Sequence, residues 1–295
     1  MGRWFGARPS VAVMVTFNDI DTANHPQYRP KVVAGRELSY VDQVVALGRS
    51  ARRFVPEAAL VAVHTQDLSA AAADRLAREG WSVVRGERGD VPREAELLFD
   101  RLAGYREAAR GADFTMLLDT DMIFVRKPGL ELDLPFRVSY ASWPFFDEDV
   151  WTELFEIAGL GPYPAGTMRA DAFRHYFDTG EVVPAPFFNG GAVMMRRDAA
   201  AGLEAELRAM SATVLGSGLG ERVPMLGHFH DMVCLSLVTH RRREWGLLPP
   251  GFNALAARID LADPGERRRM RLLHYITNTD DALLAEHYGR WFADL

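Results

Sequence analysis

Apolar runs and amphipathic stretches take turns along the first part of the chain. Val11 to Phe17 is an unbroken, β-branched apolar run, the pattern of a buried strand. Asn18 to Arg36 is polar and holds Pro26 and Pro30, so a loop is expected there. Leu38 to Phe54 repeats apolar residues at helical spacing through Val41, Val44, Val45, Leu47, Gly48 and Ala51. Leu60 to His64 returns to strand character. Ser69 to Glu79 predicts an alanine-rich helix with Ser69 as its N-cap and Gly80 as its stop. Trp81 to Val84 predicts a short strand, and Glu94 to Arg110 a helix closed by Gly111. The chain then enters Phe114-Thr-Met-Leu-Leu, a run apolar enough for a strand covered on both faces.

This alternation predicts an α/β fold: a single Rossmann-like, mixed but mostly parallel sheet flanked by helices, an architecture that binds nucleotides. No Gly-x-Gly-x-x-Gly and no Gly-x-x-x-x-Gly-Lys follows any of the strands, which disfavours a dinucleotide fold and a P-loop. Beyond Lys127 the texture changes. Pro128, Pro135, Pro144, Pro162, Pro164, Pro184 and Pro186 punctuate the chain, and Tyr140, Trp143, Phe145, Phe146, Trp151 and Phe155 crowd together. Those rings are either core or flat surfaces for sugar rings, with Trp143 beside Pro144 the leading candidate for the second role. No repeat or linker divides the chain. Residues 1–295 therefore read as one domain, its two parts, 1–127 and 128–295, sharing one sheet.

The first candidate chemistry lies where the Phe114 run ends, in Asp119-Thr-Asp121. Side chains alternate across extended backbone, so the two carboxylates project from one side with Thr120 turned away. Such a pair holds a cation or caps a turn, and the stretch alone leaves both open. Composition narrows the partners. A net charge of −6 gives no general attraction to nucleic acid or to an anionic membrane, so no nucleic-acid partner is expected. Lysine occurs only at Lys31 and Lys127, the arginine bias of a GC-rich bacterial genome. The single cysteine, Cys234, excludes an internal disulfide, and no apolar stretch suits a signal peptide or a transmembrane span. The expected location is the cytoplasm, with peripheral attachment to the inner face of the membrane left open.

Four landmarks follow the acidic pair in order. Phe187-Phe-Asn-Gly-Gly places Asn189, Gly190 and Gly191 at the entrance to an apolar strand. Glycine there admits a close neighbour, and an asparagine amide can donate to and accept from a hydroxyl. Asn-Gly is equally an ordinary turn signal. Asp231 opens an apolar helix, where the helix dipole alone favours a carboxylate. Leu247-Leu-Pro-Pro-Gly-Phe-Asn253 reads as a strand breaking into a turn. His274 ends the run Arg271-Leu-Leu-His-Tyr275. Together with two aspartates its imidazole makes a mixed oxygen and nitrogen set suited to Mn²⁺.

The ordered set resembles the GT-A glycosyltransferases, and within them the glycogenin and bacterial galactosyltransferase group, family 8. The likeness rests on Asp119-Thr-Asp121, Phe188-Asn-Gly-Gly191, Asp231, Leu248-Pro-x-x-Phe-Asn253 and His274-Tyr275, with weaker support from Val13-Met-Val-Thr-Phe-Asn-Asp19. It implies a GT-A fold in which Asp119, Asp121 and His274 hold Mn²⁺ or Mg²⁺ against the diphosphate of a nucleotide sugar, UDP-linked rather than GDP-linked. Thr16 and Asn18 would line the base and ribose, and Arg101, or Arg93 in its place, would present a positive charge to the donor. Thr120, Asn189, Gly190 and Gly191 would complete the donor contacts, and Asp231, Asn189 and Arg101 would form the reaction centre. The transferred group would be a hexose, moved with retention of configuration to a glycan, peptide or small-molecule acceptor. The chain departs from the family at Met232, where glutamine is common, at Ser236, where asparagine is, and after Tyr275, where a lysine is missing. These departures keep open a catalytically inactive relative that binds nucleotide. A HAD-type phosphatase with Asp119 as nucleophile needs a downstream lysine that neither Lys31 nor Lys127 supplies. A sugar-nucleotide pyrophosphorylase needs a glycine- and arginine-rich loop where Asn18-Asp-Ile-Asp-Thr-Ala stands.

Overall fold

The structure is a computed structural model and describes every residue except 1–8, 18–30, 34, 90, 93–94, 131, 142–143, 165, 167, 170, 184–186, 276–280 and 294. The first strand, β1 (Val11–Phe17), takes the expected run residue for residue. Inside the stretch expected to be loop lies a short antiparallel hairpin, β2 (Lys31–Val33) and β3 (Arg36–Leu38), turned on Gly35 at φ 72°. Helix α1 (Tyr40–Phe54) opens on a reciprocal cap: Ser39 Oγ accepts from the Asp42 amide, and the Asp42 carboxylate accepts from the Ser39 amide. Then come β4 (Ala59–His64), α2 (Ala70–Arg78) with Ser69 as its N-cap, β5 (Ser82–Arg85), α3 (Glu96–Ala108) and β6 (Phe114–Leu118).

After β6 the chain forms β7 (Met122–Phe124), β8 (Phe136–Tyr140), α4 (Glu148–Ile157), α5 (Ala172–Thr179), β9 (Phe188–Arg196), the long α6 (Arg197–Gly216) and a single turn, α7 (Leu219–Arg222). It closes with α8 (His230–Arg241), β10 (Gly246–Leu247), β11 (Ala254–Leu255), α9 (Pro264–Arg269), β12 (Leu272–His274) and α10 (Asp281–Tyr288). Among the described residues no helix is long and apolar enough to cross a membrane.

Seven strands form the central sheet in the order β10-β8-β9-β6-β1-β4-β5, drawn from both sides of Lys127. Neighbours β1, β4, β5 and β6 run parallel, as does the pair β10 and β8, while β9 runs antiparallel to both β6 and β8. This is the mixed, mostly parallel sheet the sequence predicts. Reversal of β9 is what builds the site. It brings the start of that strand to the end of β6, with Leu118 opposite Ala192. A second sheet, in the order β11-β12-β7, takes in the strand that follows β6 in the chain, β12 lying antiparallel to β7 and parallel to β11.

Each face of the main sheet carries its own apolar core. Val13, Val15, Phe17, Met116 and Leu118 pack with α1 on one side, and Met14 and Leu117 pack with α3 on the other. The alternation of a doubly covered strand is thus realised in β1 and β6. The aromatic cluster is largely core: Tyr140, Phe146, Trp151 and Phe155 are buried, and Trp151 Nε1 donates to the Pro144 carbonyl at 2.7 Å. Phe145, half-buried, stacks on Phe229 at 4.6 Å. Trp143 lies outside the described residues.

Candidate functional site

Strand alternation carries on past the end of β6 and sorts the next side chains. Leu117 and Asp119 face α3, while Leu118 and Thr120 face α1. The hydroxyl of Thr120 donates to Gln43 Oε1 at 2.9 Å, so Thr120 braces α1. β12 supplies the third group. It pairs with β7 so that His274 stands opposite Met122, and the Tyr275 amide donates to the Asp121 carbonyl at 3.0 Å. His274 Nε2 consequently lies 3.1 Å from Asp121 Oδ1 and 3.8 Å from Asp119 Oδ2. Asp119, Asp121 and His274 each offer one ligand atom, all within 4.8 Å of one another. Two carboxylate oxygens and one imidazole nitrogen are a donor set that fits Mn²⁺ or Mg²⁺.

The two oxygens of Asp119 have different occupations. Oδ2 turns toward His274, whereas Oδ1 accepts from an Arg101 terminal nitrogen at 2.5 Å. The same guanidinium donates to the Gly190 carbonyl at 2.6 Å, and its Nε lies 2.9 Å from Asp231 Oδ2. Arg101 is thus held by three groups from three elements. Burial alone would push its guanidinium down, but the carboxylates of Asp119 and Asp231 outweigh that and raise it above its ordinary value. Asp231 shows the opposite balance. Its burial, with repulsion from Asp119, lifts the carboxyl above the usual range against the pull of Arg101 and the amides of its own helical turn. Its side chain is only 2% exposed, so it stands behind Arg101 and not beside open space.

The glycines of Phe188-Asn-Gly-Gly191 are needed for close approach, and on this face the neighbours are the protein's own. A Cβ on Gly190 would come 3.2 Å from the Arg101 guanidinium carbon. One on Gly191 would come 2.6 Å from both Asp119 Oδ2 and Asn189 Oδ1. Asn189 folds back so that Oδ1 accepts from the Gly191 amide at 2.5 Å, which places its amide beside Asp119. Thr16, half-buried at the end of β1, sets its methyl against α3, where a Cβ on Gly104 would meet it at 2.5 Å. Asn18 and Arg93 lie outside the described residues.

Two further residues give the site its order. His274 Nδ1 is 2.7 Å from Asn253 Oδ1, and Asn253 Nδ2 donates to Ser139 Oγ at 3.0 Å. Asn253 ends the Leu-Pro-Pro-Gly-Phe-Asn turn, and its left-handed backbone (φ 52°) is one that asparagine tolerates. That turn was the signal for it in the sequence. Ser139 gave none, because its place opposite Asn189 follows a register shift between β8 and β9 after Val138.

No protein-family model matches the chain, and no curated protein matches it. Among solved structures it is similar to one titled "WbbM bifunctional glycosytransferase apo structure", with a TM-score of 0.54 and 12% identity. The match covers 100% of this chain and 51% of that one, so the chain spans about half the length of the protein it resembles. At that identity the likeness concerns the fold: the mixed α/β architecture built here is one that a glycosyltransferase also has.

Proposed function

We propose that the protein is a metal-dependent glycosyltransferase that moves a hexose from a UDP-linked donor to an acceptor hydroxyl with retention of configuration, in the manner of family 8. The observation that carries this reading is the meeting of Asp119, Asp121 and His274 at the end of β6, from segments more than 150 residues apart in sequence, in a fold that a glycosyltransferase shares. A divalent cation bound there would supply positive charge where the departing diphosphate gains negative charge.

The remaining work falls to the chain's own groups. Arg101 holds Asp119 Oδ1, which fixes the direction in which Oδ2 points. Asn189, its carbonyl oxygen already engaged by Gly191, offers its amide nitrogen to a donor-sugar hydroxyl. Asp231 holds Arg101 in place and acts on the reaction through that guanidinium. Neither a serine nor a cysteine nucleophile is required. Cys234 is buried, which pushes its thiol up and away from reactivity.

The test is incubation with UDP-glucose or UDP-galactose and Mn²⁺ without acceptor, followed by measurement of free UDP. Slow release that disappears with chelator and in Asp121→Asn is the expected result. A protein that neither releases UDP nor binds it in a Mn²⁺-dependent way would overturn the proposal. The burial of Asp231, next to Met232, favours one second reading, an inactive relative that binds the nucleotide. Mn²⁺-dependent UDP binding without any release from these donors would select it.

A further inference from the structure

The acidic pair and the imidazole are explained by the reading above, but the buried polar line behind the imidazole is not. His274, Asn253 and Ser139 are all buried, Asn253 with no exposed surface, and they are strung together by short contacts. The line ends at the carbonyl of Asn189, to which Ser139 Oγ donates at 3.0 Å. A carbonyl has no proton to give, so each polarity along the line is fixed from that end. Ser139 must donate to Asn189, and its oxygen is therefore left to accept. The group that donates to it is the Asn253 amide nitrogen, which turns Asn253 Oδ1 toward the imidazole. Facing an acceptor, His274 Nδ1 must carry the proton. In the neutral ring this leaves the Nε2 lone pair directed at Asp119 and Asp121, the tautomer a metal ligand requires.

Were the amide reversed, its nitrogen would face Nδ1 and the imidazole proton would sit on Nε2, 3.1 Å from Asp121 Oδ1, in the way of any cation. The backbone prevents drift as well. The amides of Arg271 and Leu272 both donate to the Gly251 carbonyl, at 2.8 and 3.1 Å, tying the turn that ends in Asn253 to the start of β12. Gly251 itself, at φ 92°, lies so close to the end of α9 that a Cβ would fall 2.2 Å from the Arg269 carbonyl.

We propose that Asn253 is the positioning residue of this site: with Ser139 as its director, it sets the tautomer and orientation of His274 and links that ligand to the backbone of Asn189. The proposal rests on the metal reading of Asp119, Asp121 and His274. Because Ser139 is anchored to Asn189, the residue proposed to meet the donor sugar, the imidazole and the sugar contact share one support.

The experiment uses the full chain, without metal and then with Mn²⁺. Imidazole ¹⁵N spectra of the metal-free protein, with the His274 signal assigned by its loss in His274→Gln, should show Nδ1 protonated. Asn253→Gly accepts the left-handed backbone and removes the whole side chain, amide included, and thermal melting checks that folding is retained. It should shift the ring toward Nε2–H and weaken Mn²⁺ binding, read by electron paramagnetic resonance, about 10–100-fold. Ser139→Ala leaves Asn253 in place but undirected and should also loosen the tautomer, which a packing role for Asn253 would not predict. Asn253→Asp still accepts from Nδ1 and should keep both the Nδ1–H tautomer and most of the Mn²⁺ affinity. Unchanged ¹⁵N spectra together with unchanged Mn²⁺ affinity in Asn253→Gly overturn the relay alone. A wild-type protein that binds no Mn²⁺ overturns the metal reading and takes the relay's purpose with it.

Discussion

Gly191→Ala is the substitution for which the structure gives the sharpest number. The added Cβ would lie 2.6 Å from Asp119 Oδ2, 2.6 Å from Asn189 Oδ1 and 3.0 Å from Met122 Cε, where ordinary contact begins at 3.4 Å. Both oxygens must therefore retreat by about 0.8 Å, the shortfall between those two distances. Each is the end of a side chain, so the fold can yield. The stability cost should sit at the low end of the ~1–3 kcal/mol that overpacking brings.

The site has less room to yield than the fold. Metal–ligand distances tolerate about ±0.2 Å, and Asp119 cannot swing freely because Arg101 grips its other oxygen at 2.5 Å. A misplacement near 1 Å in a catalytic constellation costs roughly 100-fold in rate. Gly191→Ala should therefore lower Mn²⁺-dependent UDP release by about that factor while shifting the melting temperature by only a few degrees. Gly190→Ala is the internal control. Its Cβ meets the Arg101 guanidinium carbon at 3.2 Å, which needs a retreat of a few tenths of an ångström, and its loss should be smaller. Wild-type Mn²⁺ affinity and UDP release in Gly191→Ala would refute the placement of Asp119 Oδ2 at the metal.

The two acids of the pair should differ when each is neutralised. Asp119→Asn takes a carboxylate from the buried Arg101 guanidinium and should cost about 1–3 kcal/mol in denaturant melts, while Asp121→Asn should cost less and both abolish UDP release; equal stability loss would contradict the Arg101 pairing. Asp42 gives a pH signature. Burial pushes its carboxyl up, but the Ser39 hydrogen bonds and the Arg75 contact at 2.6 Å outweigh that and hold it below its ordinary 3.8. A depressed carboxyl contributes stability above its unfolded value and loses it as pH falls through the folded one. Asp42→Asn should therefore be about 1 kcal/mol less stable than wild type at pH 7, with the gap closing below pH ~4; a gap that persists undiminished at pH 2 would refute the assignment.

Much of the first half was legible because its signals are local. β1 and β6 are doubly covered strands, which show as unbroken apolar runs, while α1 announces itself through periodicity and α2 through its alanines and serine cap. The β2–β3 hairpin was not, since the sequence around Gly35 lacks the Asn-Gly or Asp-Gly signature and stands behind a proline-bearing stretch. Strands β7, β11 and β12 are two or three residues long, too short for any period, and exist because they pair with one another. The direction of β9 leaves no mark in composition either. Yet that reversal alone brings Asn189 and Gly191 to Asp119. The aspartates and His274 could be picked out as ligand types at strand ends; Asn253 showed only as the end of a turn and Ser139 not at all, because their roles are defined by the groups across from them.

Asp231 shows how a residue placed by a local signal meets a partner that the signal does not name. Its position at the start of α8 is what the helix dipole favours, and that much is local. The side chain, however, enters a region where burial overrides the dipole and lifts its carboxyl. An isolated buried carboxylate costs several kcal/mol, so its presence there has to be offset by a specific partner. Arg101 is that partner at 2.9 Å, and it is shared: one positive charge faces Asp231 on one side and Asp119 on the other. For Asp231, shut away behind the guanidinium, burial and the nearby Asp119 charge leave a raised affinity for a proton. Asp119 keeps its Oδ2 turned toward His274. The buried acid thus holds the arginine that also grips the half-buried Asp119.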